Sequence, residues 1–517
     1  MNPHVDRLDD PERIRKLVEL QVDHERAEYA APAPEHDAPL FTLEEIMKAL
    51  NSNEDGDAGL FIEVYRGRFC YDHAAGRWYK WTGNYWQEDL VGEATEGINA
   101  VIDLYDKAAE RQAWQRRQAV NTQNQEAAKK HADHENQLLK RIRALQTVHR
   151  KQNVLQLART GAASLGITGN EWDSGPWLLG CMNGVIDLKT GQHRPGQPED
   201  FIKTIAPHDW RGIDEAAPLW ETFLNQIFDG DQELITYIQR LFGYGITGLT
   251  TQHIYPIFWG KGRNGKGTLL ETLKYVLGSL AFKTKAETLL DQKFNRPSGA
   301  PDADTLAMRG KRLVWASEIN EGRRINAGRL KELVGGDTLN ARAPFGIRPV
   351  EFRPTHLLIL LTNDRPQANP NDYALWQRIH LIPFTFSFID DPKEPNERKA
   401  DPELPEKLKQ EAPGILAWLV SGCLAWQQEG LKPPVTIITA TKEYRQTEDI
   451  IGQFISERCI TGPNLKIKAG DLFKVYEEFC EERGLEAKKR AFSNEIKNRF
   501  DYATDRNLFY IGINLMQ

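Results

Sequence analysis

The stretch GKGRNGKGT, residues 260–268, carries glycine and lysine at the spacing of a loop that binds phosphate groups. An apolar run ending at Trp259 precedes it, and a helical pattern beginning at Leu269 follows it. Glycines permit a turn that points backbone N–H groups at phosphate oxygens, and the start of the next helix adds favourable potential. The predicted nucleotide-binding residues are Gly260, Gly262, Asn264, Gly265, Lys266, Gly267 and Thr268. Lys266 would contact the β- and γ-phosphates of ATP; the alternative is a surface turn rich in glycine and lysine.

A metal ion is the second predicted component of this site. Gly267 stands where such loops usually carry the hydroxyl that contacts Mg²⁺, and Thr268 follows one residue later. The apolar run RLVWAS is followed directly by Glu318, and a carboxylate at the end of a buried strand lies near bound phosphates. We predict that Thr268 and Glu318 hold Mg²⁺, directly or through water, or that Glu318 polarises the attacking water. A glutamate after a strand is common, and only its position downstream of the glycine-rich stretch favours this role.

Two further residues complete a predicted catalytic set with Lys266 and Glu318. Asn363 ends the apolar run LLILLTN, where its amide could contact the γ-phosphate or orient water. Arg378 precedes the run IHLIPF and could act as an arginine finger that stabilises charge on the phosphoryl group bound by a neighbouring subunit. Isolated asparagines and arginines are usually capping or surface groups, so the prediction depends on their order and spacing.

The segment LNARAPFGIRPVEF is a candidate contact for DNA. Its two strand-like arms would form a hairpin with Arg342, Phe345 and Arg348 near the tip. A basic loop with an aromatic residue could grip phosphates and stack a base. The alternative is a core hairpin whose arginines pair with Asp337 or Glu351.

The tail also has the pattern of a DNA-binding element. Two helical patterns and a terminal strand pair within residues 437–517 predict a winged helix. Its basic run, Lys488, Lys489 and Arg490, would contact phosphates and not bases.

These candidate residues need a scaffold, and the chain predicts one of the α/β class. Between residues 250 and 390, short apolar runs alternate with helical patterns, which is typical of a parallel sheet buried on both faces. The predicted division is a flexible acidic leader (1–55), an N-terminal α+β domain that would act as a collar (56–215), an ATPase domain (216–390), a helical connector (391–436) and a winged-helix-like C-terminal domain (437–517).

Composition limits the classes of protein that the chain could represent. Its 517 residues suit two to four domains. The net charge of −7 neither favours nor excludes nucleic acid, because clustering of basic residues decides that. Five dispersed cysteines without a C-x-x-C pair argue for a reducing compartment, and no apolar run approaches a membrane span of about 20 residues. We expect a cytoplasmic, nucleoid-associated protein of a bacterial host, with no membrane contact.

Taken in order, the segments GKGRNGKGT, RLVWASE, LKELVGGDTLNARAPFGIRPVEFRPT, LLTND and ALWQRIHLIPF resemble the superfamily 3 helicase domain of the phage/plasmid and poxvirus primase-helicase family. Further matching segments extend the resemblance over roughly residues 60–517. The resemblance implies an AAA+-related P-loop core that uses ATP and Mg²⁺ and translocates on single-stranded DNA as a homo-oligomeric ring, which we expect to be a hexamer.

The resemblance also assigns roles to individual residues. Lys266 and Thr268 match the phosphate motif, Glu318 the acidic strand and Asn363 the sensor position. Arg378 matches the finger position. Members of the family often have two arginines there, and the first is replaced by Gln377 in this chain.

Relatives often carry a primase domain before the helicase. About 60 residues precede the resemblance, which we judge too few for a primase domain. Two carboxylate pairs of the type that primases use for metals, Asp55 with Asp57 and Asp302 with Asp304, lack flanking strands, and we reject both as metal sites. We therefore expect a helicase part without its primase, with a separate primase or polymerase as partner.

Three functions remain open at this level. The first is an ATP-dependent DNA helicase that replicates a phage, plasmid or integrated element and acts on single-stranded and forked DNA. The second is an origin-binding or loader ATPase without processive unwinding. The third is a P-loop enzyme that acts on a small metabolite. An ATPase assay with and without single-stranded DNA would separate the third from the others.

Overall fold

The computed structural model describes residues 41–291, 302–317, 323–342 and 349–516. The chain divides into two compact units. The first ends at Trp210 and the second begins at Arg211, with the short segment Leu188–Gly191 assigned to the second. The sequence predicts a boundary between residues 215 and 216.

The first unit contains six helices within its described residues: α1 Leu43–Asn51, α2 Asn53–Tyr65, α3 Glu93–Glu96, α4 Ile98–Asn121, α5 Gln125–Leu145 and α6 Val148–Ala158. Helix α1 begins where the Thr42 hydroxyl accepts a hydrogen bond from the Glu45 N–H, while the Glu45 carboxylate accepts one from the Thr42 N–H. This capping box lies inside the predicted leader. Residues 43–55 are helical and contribute Ile46 and Leu50 to the core, so the folded part begins earlier than predicted.

Two small sheets accompany these helices. Strands β1 Phe69–Asp72, β2 Arg77–Trp81 and β3 Trp86–Glu88 form an antiparallel meander, and β4 Gly166–Ile167 pairs in parallel with β1. The second sheet has the order β7-β6-β5-β8 and contains β5 Leu178–Cys181, β6 Gly184–Asp187, β7 Gln192–Arg194 and β8 Ile205–Ala206.

Asp57 lies in helix α2 and not in a loop, as the sequence had suggested. Its carboxylate is fully buried and accepts hydrogen bonds from Arg141 (2.6 Å), Arg150 (2.7 Å) and the Tyr105 hydroxyl (2.7 Å). A buried carboxylate is stable only when it is paired in this way. Asp57 therefore joins helix α2 to helices α4, α5 and α6.

The second unit is built on a five-stranded, wholly parallel sheet with the order β10-β11-β14-β9-β15. Its strands are β9 Tyr255–Trp259, β10 Ala281–Lys285, β11 Leu313–Ser317, β14 Leu357–Thr362 and β15 Ile379–Pro383. The central strand β14 is buried at all six positions, because helices cover both faces of such a sheet. The prediction of a parallel α/β sheet is confirmed.

Helices surround this sheet. Those of the described part are α7 Pro218–Ile227, α8 Gln232–Gly245, α9 Lys266–Leu277, α10 Ala303–Leu306, α11 Ala327–Val334, α12 Tyr373–Trp376, α13 Leu404–Gln410, α14 Ala412–Glu429, α15 Val435–Glu448, α16 Ile450–Arg458, α17 Ala469–Glu481 and α18 Lys489–Arg499. Helices α8 and α14 cross closely through Gly243 and Gly422; a Cβ on either would lie 2.1–2.2 Å from backbone atoms of the other helix.

Helix α15 crosses the boundary predicted between residues 436 and 437. It packs on β15, where the Thr441 hydroxyl accepts a hydrogen bond from the Leu381 N–H at 3.0 Å. Tyr444 is fully buried in the same core as Tyr255 and Leu381. The helix thus belongs to the sheet domain, because its apolar face covers the sheet.

Smaller strand pairs complete the second unit. Strands β12 Leu339–Ala341 and β13 Val350–Phe352 pair antiparallel, and β16 Ser387–Ile389 pairs with β17 Glu397–Lys399. At the C-terminus, β18 Cys459–Lys468, β19 Tyr502–Asp505 and β20 Asn507–Leu515 form a sheet of order β18-β20-β19. The chain there runs helix, strand, helix, helix and two strands around a core that includes Phe454, Phe492 and Tyr510.

Candidate functional site

The glycine-rich segment forms the turn between strand β9 and helix α9. Gly265 has a φ of 83°, and a Cβ there would lie 2.6 Å from the Ile227 side chain. A Cβ at Gly260 would lie 2.2 Å from the carbonyl oxygen of Phe384. Only glycine satisfies both requirements. At Gly262 and Gly267, in contrast, a Cβ would meet no atom within 4 Å.

Helix α9 presents an uncapped N-terminus to this turn. Its N-cap residue is Gly265, so no N-cap side chain accepts a hydrogen bond from the first N–H groups of the helix, and the first helical turn contains no acidic residue. The first N–H groups of a helix have no partners within the helix, so here they remain available to an anion. A phosphate group is the anion that such a turn and helix start fit best.

Lys266 is buried, with 6% of its surface exposed, and its ammonium group turns back toward the loop. It donates hydrogen bonds to the carbonyl oxygen of Gly260, to Asn264 Oδ1 (3.0 Å) and to Asn363 Oδ1 (3.5 Å). Burial lowers the pKa of Lys266 to about 8, because the charged form loses hydration. A polyanionic ligand would restore the favourable environment for the charge.

The ends of three strands form one cavity with the turn. Strand β14 lies between β9 and β11, and the register pairs Leu361 with both Phe258 and Ser317. The carboxyl ends of β9, β11 and β14 are therefore level. The cavity of about 360 Å³ is lined by Gly262, Arg263, Asn264, Gly265, Lys266, Gly267, Thr268, Ser317, Leu361, Thr362 and Asn363. Ligands of parallel α/β sheets bind at this edge.

The predicted metal ligands are only partly described. Thr268 lines the cavity from the first turn of α9, half-buried, and Gly267 is exposed beside it. Glu318 lies outside the described residues, directly after Ser317, the last residue of β11. Within the described ranges no group of three histidine, cysteine or acidic side chains could hold a metal by itself. The residues present fit an ion that shares its ligands with bound phosphates.

Arg378 lies at the opposite edge of the sheet. Its carbonyl oxygen accepts a hydrogen bond from the Tyr255 N–H at 2.6 Å, which places it beside the amino end of β9. The turn begins five residues later at Gly260, about 17 Å away at ~3.3 Å per residue. The Arg378 side chain donates to the Ala374 carbonyl oxygen at 2.6 Å. Arg378 and Lys266 of one chain are therefore not brought together.

Arg365 lies three residues after the end of β14. Its guanidinium stacks over the rings of Trp259 (5.0 Å) and Tyr444 (5.7 Å). The side chain thus connects the last residue of β9 to helix α15. Ser317, Thr362 and Arg263 were not predicted at all, although Ser317 and Thr362 end two of the predicted strands.

The predicted DNA-contacting residues lie elsewhere. The hairpin arms are present as β12 and β13, and Arg342 directly follows β12; Phe345 and Arg348 lie outside the described residues. Lys488, Lys489 and Arg490 are exposed at the start of α18. Lys488 pairs with Glu486 at 3.3 Å, a contact between exposed side chains that contributes little to stability.

Comparison with known families matches both units of this chain. Residues 58–229 match the family described as D5 N terminal like, and residues 258–378 match a family described as of unknown function. A protein of Acanthamoeba polyphaga mimivirus named "putative helicase" is 28% identical over 454 residues, which cover 84% of this chain and 46% of that protein. The predicted resemblance to the primase-helicase family is confirmed.

Two other viral proteins are also similar to this chain. A Frog virus 3 protein named "putative helicase" is 26% identical over 386 residues, covering 60% of this chain and 39% of its own length. An African swine fever virus protein named "putative primase" is 24% identical over 310 residues, covering 56% of this chain and 32% of its own length. The chain thus spans less than half the length of these curated relatives. Two of these three relatives thus carry the name of a putative helicase and one that of a putative primase.

Among solved structures, the C-terminal region of NrS-1 is similar to this chain with a TM-score of 0.39 and 14% identity. The similarity covers 63% of this chain and 81% of that one. No helix in the described part is long and apolar enough to cross a lipid bilayer.

Proposed function

We propose that the chain is an ATP-dependent DNA helicase that translocates on single-stranded DNA as a ring in the replication of a virus, plasmid or other mobile element. The observation that carries this proposal is the cavity at the carboxyl ends of β9, β11 and β14. The turn, the uncapped α9 and the buried Lys266 there provide a site for a triphosphate. The names of the viral relatives support DNA as the substrate.

The roles of individual residues follow from their positions. Lys266 would bind the β- and γ-phosphates, and Asn363, 3.5 Å from its ammonium group, would contact the γ-phosphate or orient the attacking water. Thr268 and Glu318 would hold Mg²⁺, which when bound neutralises charge on the phosphates. Arg378 would act on the site of the next subunit, since it lies at the far edge of its own sheet.

The C-terminal arrangement supports a DNA contact. Its order of helices and strands is that of a winged helix, and the exposed Lys488, Lys489 and Arg490 begin the second of its paired helices. A loader or origin-binding ATPase would use the same element. The two functions differ in whether ATP hydrolysis separates the strands of a fork.

Three measurements on the full chain test the proposal: ATP hydrolysis with and without single-stranded DNA, displacement of a strand from a forked duplex, and the mass of the assembly with ATP. We expect stimulation by DNA, displacement, and a ring. Lys266→Ala should abolish hydrolysis, whereas Lys261→Ala, an exposed lysine of the same turn, should change it little. More than about a tenth of the wild-type rate in Lys266→Ala would contradict the assigned site, because such losses usually reach several orders of magnitude.

The outcomes also separate the alternatives. Hydrolysis and DNA binding without displacement would indicate the loader ATPase. Hydrolysis that DNA neither stimulates nor alters would favour an enzyme that acts on a small molecule.

A further inference from the structure

Helices α4 and α5 form a long antiparallel hairpin whose far end is solvated. Between residues 111 and 130, only Gln112 and Ala119 are buried. A hydrogen bond between His131 Nδ1 and Gln112 Oε1 (2.7 Å) and an ion pair between Arg116 and Glu135 (3.0 Å) join the two helices. The hairpin thus exposes a rigid tip that packing within its own unit does not require.

This tip is strongly basic although the chain is acidic. Residues 111–130 contain five lysines and arginines and a single acidic residue, Glu126, whereas the whole chain has a net charge of −7. Lys129 and Lys130 are exposed on α5. They precede His131 and so lie on the tip side of its contact with Gln112. Local concentration of positive charge is what attracts a polyanion.

A large aromatic side chain lies in the middle of this charge. Trp114 is 55% exposed, and Arg111 and Arg117 lie three residues before and after it. Residues three apart on a helix are surface neighbours, so the indole is flanked by two guanidinium groups spaced about 9 Å along the axis. Within the described residues neither arginine forms an ion pair, whereas Arg116 on another side of the helix does.

We propose that the face of α4 formed by Arg111, Trp114 and Arg117 is a binding site for single-stranded DNA. The arginines would neutralise phosphates of the backbone and the indole would stack on an unpaired base, which is how proteins hold single strands without reading their sequence. The excess of positive charge favours a nucleic acid over a protein partner. The inference deepens the proposed function in its choice of ligand, but it does not require hydrolysis of ATP.

Binding of a fluorescent oligothymidylate of about 30 nucleotides to the full chain, without ATP, tests this proposal by anisotropy. Trp114→Ala should bind roughly 5- to 100-fold more weakly, as expected for loss of one stacked base, and Trp114→Phe should recover most of the affinity. Neutralising Arg111 and Arg117 together to glutamine should reduce the slope of log K against log salt by about 1.4, at ~0.7 per phosphate.

A matched control lies on the same hairpin. Lys140 and Arg143 are exposed on the part of α5 away from the tip, so the double change to glutamine alters net charge equally. It should leave both affinity and slope unchanged. In the wild-type chain, an oligonucleotide carrying 5-iodouracil should cross-link to the peptide that contains Trp114, a readout that requires no variant.

Several results would overturn the inference: wild-type affinity in Trp114→Ala, an equal effect of the control pair, or cross-links that exclude the Trp114 peptide. If Trp114→Ala had a lower assembly mass than the wild type, and lost affinity for the oligonucleotide only because its subunits dissociate, the face would be identified as a contact between subunits. Failure of the proposed function is distinguishable, because the wild-type chain would then bind the oligonucleotide through Trp114 yet show no ATPase.

Discussion

The position of Arg378 predicts that it completes a neighbouring active site. Arg378 lies at the amino edge of the sheet, about 17 Å from the glycine-rich turn of its own chain. This distance exceeds the reach of an arginine side chain that is hydrogen-bonded to the Ala374 carbonyl oxygen. Arg378→Ala should therefore bind ATP and assemble nearly as the wild type does, yet lose hydrolysis. The expected loss is roughly 10³- to 10⁵-fold, the value of an arginine finger in other nucleotide hydrolases.

Mixing two inactive variants tests this directly. In rings assembled from equal amounts of Lys266→Ala and Arg378→Ala chains, about one interface in four joins an intact Lys266 to an intact Arg378 from the neighbour. Up to about a quarter of the wild-type ATPase should then return, from parents that are both inactive.

Arg365 supplies the control for this experiment. Its guanidinium stacks on Trp259, the last residue of β9, and on Tyr444 of its own chain. If Arg365 acts within one chain, a mixture of Arg365→Ala with Lys266→Ala contains no complete site and should remain inactive. Recovery with Arg365→Ala but not with Arg378→Ala, in rings shown to be mixed, would refute the reasoning and identify Arg365 as the residue that acts between subunits.

Three other predictions concern the same site and the tail. Because burial holds the pKa of Lys266 near 8, affinity for an ATP analogue should be constant below about pH 8 and fall by up to tenfold per unit above it, as the ammonium group loses its proton; an affinity unchanged up to pH 9.5 would contradict this. Gly267→Ser should be tolerated, whereas Gly265→Ser places a side chain at a backbone φ of 83° and against Ile227. In denaturant titrations Gly265→Ser should therefore lower the free energy of unfolding by about 1–3 kcal/mol. Equal stability of the two variants would refute this geometry. Neutralising Lys488, Lys489 and Arg490 should reduce the salt-dependence slope of duplex binding by about two to three, and an unchanged slope would assign the run to a solvated helix start.

The sequence by itself determined the elements that carry strong local patterns. Strands β9, β11, β14 and β15 are apolar runs because both faces of a parallel sheet are buried, and each was predicted within a residue or two. Strand β10 was missed, because Ala281–Lys285 lies at the edge of the sheet and carries lysines at two of its five positions. The glycines of the turn were recognisable for a similar local reason: Gly265 adopts a φ that other residues avoid.

Only the tertiary structure decided which residues meet. No local sequence pattern specifies the order of strands in a sheet. Only the tertiary structure therefore shows that β14 lies between β9 and β11, which brings Asn363 close to Lys266. The same holds for Arg378, whose place at the amino end of β15 separates it from its own cavity. Burial of Asp57 against Arg141 and Arg150, residues more than 80 positions away, likewise depends on long-range packing, because a charge is stable inside a protein only where distant partners converge on it.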